Sequence, residues 1–167
     1  MKDVDPLDHG IFDDGEWLSW DEIDRQIRYK EWGAKYPNAD RALVPYFEDL
    51  LSLAESYHLE TGRHLNVYGD LGELFGAITF GIKLNRLYAQ GADGRLGRDH
   101  VEIKTITPFK SRDEVVVRMA GNFSKLLVVK LTGDFMISGR MIDRHLLPKT
   151  GATHLRVRWS DLPAIAP

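Results

Sequence analysis

Asp93, Glu102 and Lys104 are the residues whose types and spacing could do chemistry in this chain. Asp93 lies in a glycine-rich turn, Gly91-Ala92-Asp93-Gly94, and Glu102-Ile103-Lys104 lies in a short apolar segment. If residues 101–106 form a strand, Val101, Ile103 and Thr105 face one way while Glu102 and Lys104 face the other, with α-carbons about 7 Å apart. Asp93 comes within reach if the intervening segment folds back as a hairpin, which Gly91, Gly94 and Gly97 permit. Two converging carboxylates repel and stay ionised only when a cation joins them. Mg²⁺ suits such a pair, because it takes oxygen ligands and usually binds through one or two carboxylates plus a substrate phosphate. It can polarise a phosphoryl oxygen and acidify a bound water, and Lys104 can orient that water or neutralise charge on the phosphate. Glu102 and Lys104 also read more plainly, as a surface ion pair on an amphipathic strand.

The elements that must position these residues divide into helices first and strands afterwards. Ser19-Trp20-Asp21-Glu22 has capping-box spacing and opens a helix to about Ala34, with a break at Tyr36-Pro37-Asn38. A second helix spans about Ala39 to Glu60, with Leu43, Tyr46, Phe47, Leu50, Leu51, Leu53 and Ala54 as its apolar stripe, and Thr61-Gly62 ends it. A third runs from Asp70 to about Leu84 and buries Leu71, Leu74, Phe75, Ile78 and Ile82. Gly72, Gly76 and Gly81 weaken it as a helix, so close approach to a neighbouring element is expected there. Strands follow at His100 to Thr107, Glu114 to Met119, Lys125 to Leu131, Phe135 to Ser138 and His154 to Trp159, with a weaker one at Arg86 to Gln90. Ile142 to Leu147 reads as a short helix.

Composition bounds the class. The 167 residues, 43% hydrophobic and 28% charged, are enough for one core with an appendage. No apolar run approaches the ~20 residues of a membrane helix. The start, MKDVDPLDHG, lacks the layout of a signal peptide, and there is no cysteine, so a cytoplasmic location is the default. The net charge of −3 is uneven: residues 1–24 carry one basic and nine acidic groups, whereas residues 61–167 carry sixteen basic and ten acidic. The first segment reads as a solvated leader, or as a competitor for the basic surface of the rest. The basic remainder suits a polyanionic substrate.

Tyr68-Gly69-Asp70-Leu71-Gly72-Glu73-Leu74-Phe75-Gly76-Ala77, then Gly91-Ala92-Asp93-Gly94, then Val101-Glu102-Ile103-Lys104-Thr105 together resemble the PD-(D/E)XK nuclease superfamily, the restriction-endonuclease-like phosphodiesterases. The likeness covers roughly Asn66 to Leu131 and is nearest to small bacterial members with a G-E-L-F/Y-G-A helix. It implies that Asp93, Glu102 and the Ile103 carbonyl bind the metal, that Lys104 is the catalytic lysine, and that Glu73 is an accessory carboxylate. Ala92 stands where the motif's proline would be. The stretch from Thr107 to Lys125 is short for the helix expected after the E-x-K strand, which implies an abbreviated or rearranged core. No glutamine follows Lys104 closely, which disfavours the exonuclease-like branch. Glu73 has a second reading, because Asp70-Leu71-Gly72-Glu73 is spaced as a capping box.

Lys110, Arg112, Arg118 and Lys125 flank the site in sequence and could contact phosphates, with Lys110, Arg112 and Lys125 the candidates for nucleic-acid binding. Trp17, Trp20 and Trp32 read as core or interface residues that could serve a homodimer or a protein partner. The six histidines show no metal-ligand spacing, and neither a phosphate-binding loop nor a nucleophile elbow occurs. The expectation is an α/β three-layer domain with a restriction-endonuclease-like core and a mixed sheet over residues 37–167, preceded by an acidic extension over residues 1–36. The expected function is a Mg²⁺- or Mn²⁺-dependent endonuclease acting on DNA. The rival is an inactive nuclease fold kept as a nucleic-acid- or protein-binding regulatory module.

Overall fold

A computed structural model describes residues 9–35, 37, 39–86 and 91–164. The chain is a mixed α/β protein whose centre is a five-stranded sheet. Its helices are α1 (Trp20–Lys35), α2 (Val44–Thr61) and α3 (Tyr68–Phe80). Its strands are β1 (Gly10–Asp13), β2 (Glu16–Ser19), β3 (Lys83–Leu84), β4 (Gly94–Leu96), β5 (Asp99–Ile106), β6 (Glu114–Arg118), β7 (Lys125–Leu131), β8 (Ile137–Asp143) and β9 (His154–Arg158). The central sheet has the order β3-β4-β5-β7-β8, in which β5 and β7 are parallel and the other pairs antiparallel. Among the described residues no helix is long and apolar enough to cross a membrane.

Three layers result. Val101, Ile103, Leu127, Val129 and Leu131 turn one sheet face toward α2 and α3, where Val44, Phe47, Ala54, Leu71, Phe75 and Ile78 meet them. Ile106, Leu126 and Val128 turn the other face toward the two-stranded ribbon β6–β9, through Val115, Val117, Leu155 and Val157. Lys125–Leu131 is apolar on both faces because β7 is covered on both sides. Each fully buried Leu or Val there contributes about 1.5–3 kcal/mol of transfer free energy.

Several expected elements changed shape. The capping box at Ser19 holds: its Oγ accepts from the Glu22 N–H at 3.2 Å and α1 follows. The residues before it are not wholly a solvated leader, since β1 and β2 form a hairpin. Its turn uses Asp14 (φ 50°) and Gly15 (φ 90°), the left-handed pair a tight hairpin needs. Trp32 rests against Phe47 with ring centroids 6.4 Å apart, whereas Trp17 and Trp20 are exposed rather than in the core. On α2, Gly62 ends the helix as expected, but Tyr46 and Leu53 face solvent. The last helix starts at Tyr68 and stops at Gly81, whose φ of 73° caps it, so Ile82 leaves the helix and Lys83 and Leu84 form β3. Residues 142–143 extend β8, leaving one 3-10 turn at Arg144–Leu146 in place of a helix. The strand expected near Phe135 begins later, at Ile137, after Phe135 itself has turned to φ 60°. Arg86 lies in no strand; residues 87–90 and the break residues Tyr36 and Asn38 lie outside the described residues. After β5 the chain forms the strand expected at Glu114, here β6, where the resembled family carries a helix, and a β-ribbon covers that face.

The glycines of α3 determine how closely it lies on the sheet. A methyl group on Gly72 would overlap the Thr105 hydroxyl of β5, and one on Gly76 would sit 2.9 Å from Leu127 Cδ2 and 3.2 Å from Ile103 Cδ1. Both carry ordinary helical φ, so spatial clearance alone accounts for them. Gly69, one turn earlier, has nothing within 4 Å of its missing Cβ. The two sites should therefore respond to alanine with opposite sign. Gly69→Ala should stabilise by up to about 1 kcal/mol. Gly72→Ala should destabilise by about 1–3 kcal/mol through overpacking, and Thr105→Ala added to it should recover part of the loss. Urea midpoints of the four chains test this; a stabilising Gly72→Ala would contradict the close approach.

Candidate active site

The candidate residues are gathered where β4 stops. β4 pairs with β5 over three residues, Gly94↔Val101, Arg95↔His100 and Leu96↔Asp99. The hairpin expected from the glycines is thus present. The ladder ends at Gly94↔Val101, and Asp93, the next residue, lies within electrostatic reach of Glu102. The Asp93 carbonyl accepts the Asn85 N–H at 2.9 Å on the β3 side, but toward β5 the backbone pairing stops at Gly94. The Asp93 side chain turns in, and Oδ2 accepts the Ile103 N–H at 2.6 Å. The N–H and C=O of one strand residue point to the same edge, so the Ile103 carbonyl is turned toward Asp93 as well.

Glu102 and Lys104 share the face that the alternation expects. Lys104 Nζ stands 2.6 Å from Glu102 Oε1, with the two side chains 34% and 15% exposed. Glu73 comes from the other side of the sheet edge, on the turn of α3 that the Gly72–Thr105 contact presses onto β5. It is half-buried and within electrostatic reach of Asp93 and Lys104. Its capping role falls away: the N-cap of α3 is Val67, and Asp70 already lies inside the first turn.

Burial first, then the charges of Asp93 and Asp70, push the Glu73 carboxyl above its ordinary value, with Lys104 opposing. Asp93 is also pushed up, again by burial first; the Ile103 N–H pulls it down, Glu102 pushes it up and Lys104 pulls it down. The edge therefore holds carboxylates incompletely neutralised by their one ammonium. All the donors are oxygen, the chemistry of a hard cation. Among the described residues no group of three or more His, Asp or Glu side chains is gathered tightly enough to hold a metal by itself. Mg²⁺ needs fewer, because water and a substrate phosphate complete its shell.

The expected phosphate contacts fare differently. Lys125 is held by Asp143 at 2.5 Å and Asp99 at 3.7 Å, and the hydrogen bond to Asp143 leads in raising its pKa. Lys110 donates to the Glu114 carbonyl at 3.0 Å, and Arg112 is exposed beside Asp113 and Trp159. A cavity of roughly 730 Å³ opens elsewhere, around Met119, Phe123, Arg144 and Lys149, and none of Glu73, Asp93, Glu102 or Lys104 lines it. Its Arg144 guanidinium is engaged with the carbonyls of Met119, Gly121 and Phe123. The glycines pointed to a hairpin but not to the bounds of β4, and nothing pointed to β3, so Lys83 and Arg95 are not among the residues the sequence singles out. The available signal was Leu96-Gly97-Arg98-Asp99, a tight turn (Gly97 φ 61°) between two runs that can pair.

The raised carboxyls give a signed pH dependence. A carboxyl whose folded pKa exceeds its unfolded one stabilises fully below the unfolded value, ~4, and loses that contribution as pH rises through the folded one. Asp93→Asn keeps an acceptor for the Ile103 N–H and removes the charge. Without divalent cations, it should gain stability relative to the parent chain as pH climbs from about 3 to about 7. Urea midpoints across that range check this; a difference constant with pH would show that burial does not hold the Asp93 carboxyl up.

No family model matches the chain, and no curated protein matches it.

Proposed function

We propose that this chain is a divalent-cation-dependent nuclease with a restriction-endonuclease-like core, of the PD-(D/E)XK kind, hydrolysing DNA phosphodiester bonds. The observation that carries the reading is the meeting of Asp93, Glu102 and Lys104 at one edge of β5, with Glu73 arriving from α3. These come from a turn, a strand and a helix. The order of helix, turn-borne aspartate and E-x-K strand supports the fold assignment. The ribbon in place of the following helix makes the core a rearranged one.

Hydrolysis needs water to attack phosphorus, the bond to the leaving sugar oxygen to break, and that oxygen to take up a proton. Asp93, Glu102 and the Ile103 carbonyl are the groups that would hold Mg²⁺ or Mn²⁺. Such a cation supplies charge neutralisation at the phosphoryl oxygen and a more acidic water. Asp93 is kept in one orientation by the Ile103 N–H. Lys104 Nζ, steadied by Glu102, is available to donate to a phosphoryl oxygen as negative charge builds there. Glu73, with its raised proton affinity, suits acceptance of the proton that the attacking water must lose. A water-accessible sheet edge, rather than a deep pocket, suits a long polymer. The 2.6 Å Lys104–Glu102 pair favours a second reading, a nuclease-like site kept in a binding module.

The purified chain with Mg²⁺ should nick supercoiled plasmid DNA. Lys104→Ala should lower the rate about 10²–10³-fold while circular dichroism stays unchanged. Undiminished cleavage by Lys104→Ala would sink the mechanism. Mn²⁺ at about 100 times its dissociation constant should stabilise the parent by about 2.7 kcal/mol, and Asp93→Asn should abolish that gain. No cleavage with any divalent cation, alongside intact DNA or protein binding, would identify the binding module.

A further inference from the structure

One row of the sheet above the carboxylates, three basic side chains lie side by side on three strands. Lys83 of β3 pairs with Arg95 of β4, and Arg95 pairs with His100 of β5. Neighbouring strands are about 4.8 Å apart, so paired side chains on one face are immediate neighbours. The neighbours of this row show which face it occupies. Leu84, Gly94 and Val101 form the next row and turn toward α3: Leu84 and Val101 join its core, and a methyl on Gly94 would meet Ile82. Alternation then puts Lys83, Arg95 and His100 on the opposite face, the one that carries Glu102 and Lys104. His100 and Glu102, two residues apart on β5, place the rows about 7 Å from each other.

Lys83 and Arg95 are exposed and His100 is half-buried. Among the described residues, neither Lys83 nor Arg95 has an ion pair, although Lys104, Lys125, Lys130 and Arg156 each have one. Like charges directly opposite across a strand pair destabilise it. The sheet edge thus carries a like-charge pair with no direct ion-pair partner on the face of the candidate site, and an anionic ligand would relieve it. The substrate of that site is itself an anion with a charge at every nucleotide. The alternation of carboxylates at Asp93/Glu102 with cations at Lys83/Arg95 matches a polymer that needs one reacting phosphate and one anchored beside it.

We propose that Lys83 and Arg95, with His100 beside them, bind the phosphodiester backbone of a nucleic acid next to the phosphate held at Asp93, Glu102 and Lys104. The assignment rests on the nuclease reading for its substrate and makes the row a positioning surface. Arg95, at its centre, can grip a phosphate bidentately, and Lys83 adds a point charge beside it.

Binding separates this surface from the chemistry. Glu102→Gln should be titrated with a fluorescent duplex in Ca²⁺ over a range of salt concentrations, so that no turnover intervenes. Adding Lys83→Gln and Arg95→Gln should weaken binding and flatten the slope of log K against log salt by about 1.8, close to 0.9 for each duplex phosphate released. Arg95→Lys should keep most of the slope, and Lys30→Gln on α1 should leave it unchanged. A slope unaltered by the double change would overturn the proposal, as would an equal loss in Lys30→Gln. In the cleavage-competent chain the double change should raise KM several-fold with little effect on kcat; a fall in kcat alone would also overturn it. Cleavage that persists with an unaltered slope overturns the row and leaves the nuclease reading standing. A row-dependent slope in a chain that never cleaves overturns the nuclease reading and supports the row.

Discussion

Where β4 ends, the Ile103 N–H loses its strand partner, and the Asp93 carboxylate takes its place at 2.6 Å. Much of the site follows from this substitution. A buried N–H must have a partner, and here a side chain supplies it, so the ladder stops and the edge of β5 opens. The same bond holds Asp93 beside Ile103, within electrostatic reach of Glu102, and leaves the Ile103 carbonyl on the open edge. It also brings a carboxylate into a half-buried position where burial and Glu102 both raise its proton affinity. A backbone continuation of β4 would have satisfied Ile103 equally well and closed the edge.

The second constraint is the closeness of α3. With Gly72 against the Thr105 hydroxyl and Gly76 against Leu127 and Ile103, the helix lies nearer the sheet than side chains would allow. Glu73 follows Gly72, so its distance from Asp93 is set by that packing. Core and site are therefore one problem: the residues that let the helix settle on β5 also determine how strongly two carboxylates repel. A stable fold tolerates such repulsion when Lys104 offsets part of it and a ligand cation can offset the rest.

Beyond the edge, the same face changes from carboxylate to cation within one row. Both rows draw on separate strands, so neither is visible along the chain. Lys83 and Arg95 are twelve residues apart and His100 five further on. Lys125, closer in sequence to the E-x-K strand's partner residues, is instead drawn to Asp143 and Asp99. Strand pairing decides which cations near the site are left without a partner.

The amino-acid sequence by itself determined the long elements and one face of the site. Hydrophobic period and caps located α1, α2 and most of α3, and β7 stands as its apolar run dictates. Alternation placed Glu102 and Lys104 together, and the glycines around Asp93 announced a turn. These are local properties, set by neighbours within a few residues. Tertiary structure decided the rest. Strands of two or three residues, β3 and β4, carry too little pattern to be seen alone and exist because β5 offers them an edge. Helix α3 begins at Tyr68 rather than Asp70, so Glu73 is released from capping and left facing Asp93. A ribbon replaces the helix after β5 because β6 finds a distant partner in β9, thirty-six residues beyond its own end at Arg118. Which carboxylates repel, and which cations stay unpaired, depends on distances between segments far apart in the chain, and only packing fixes those distances.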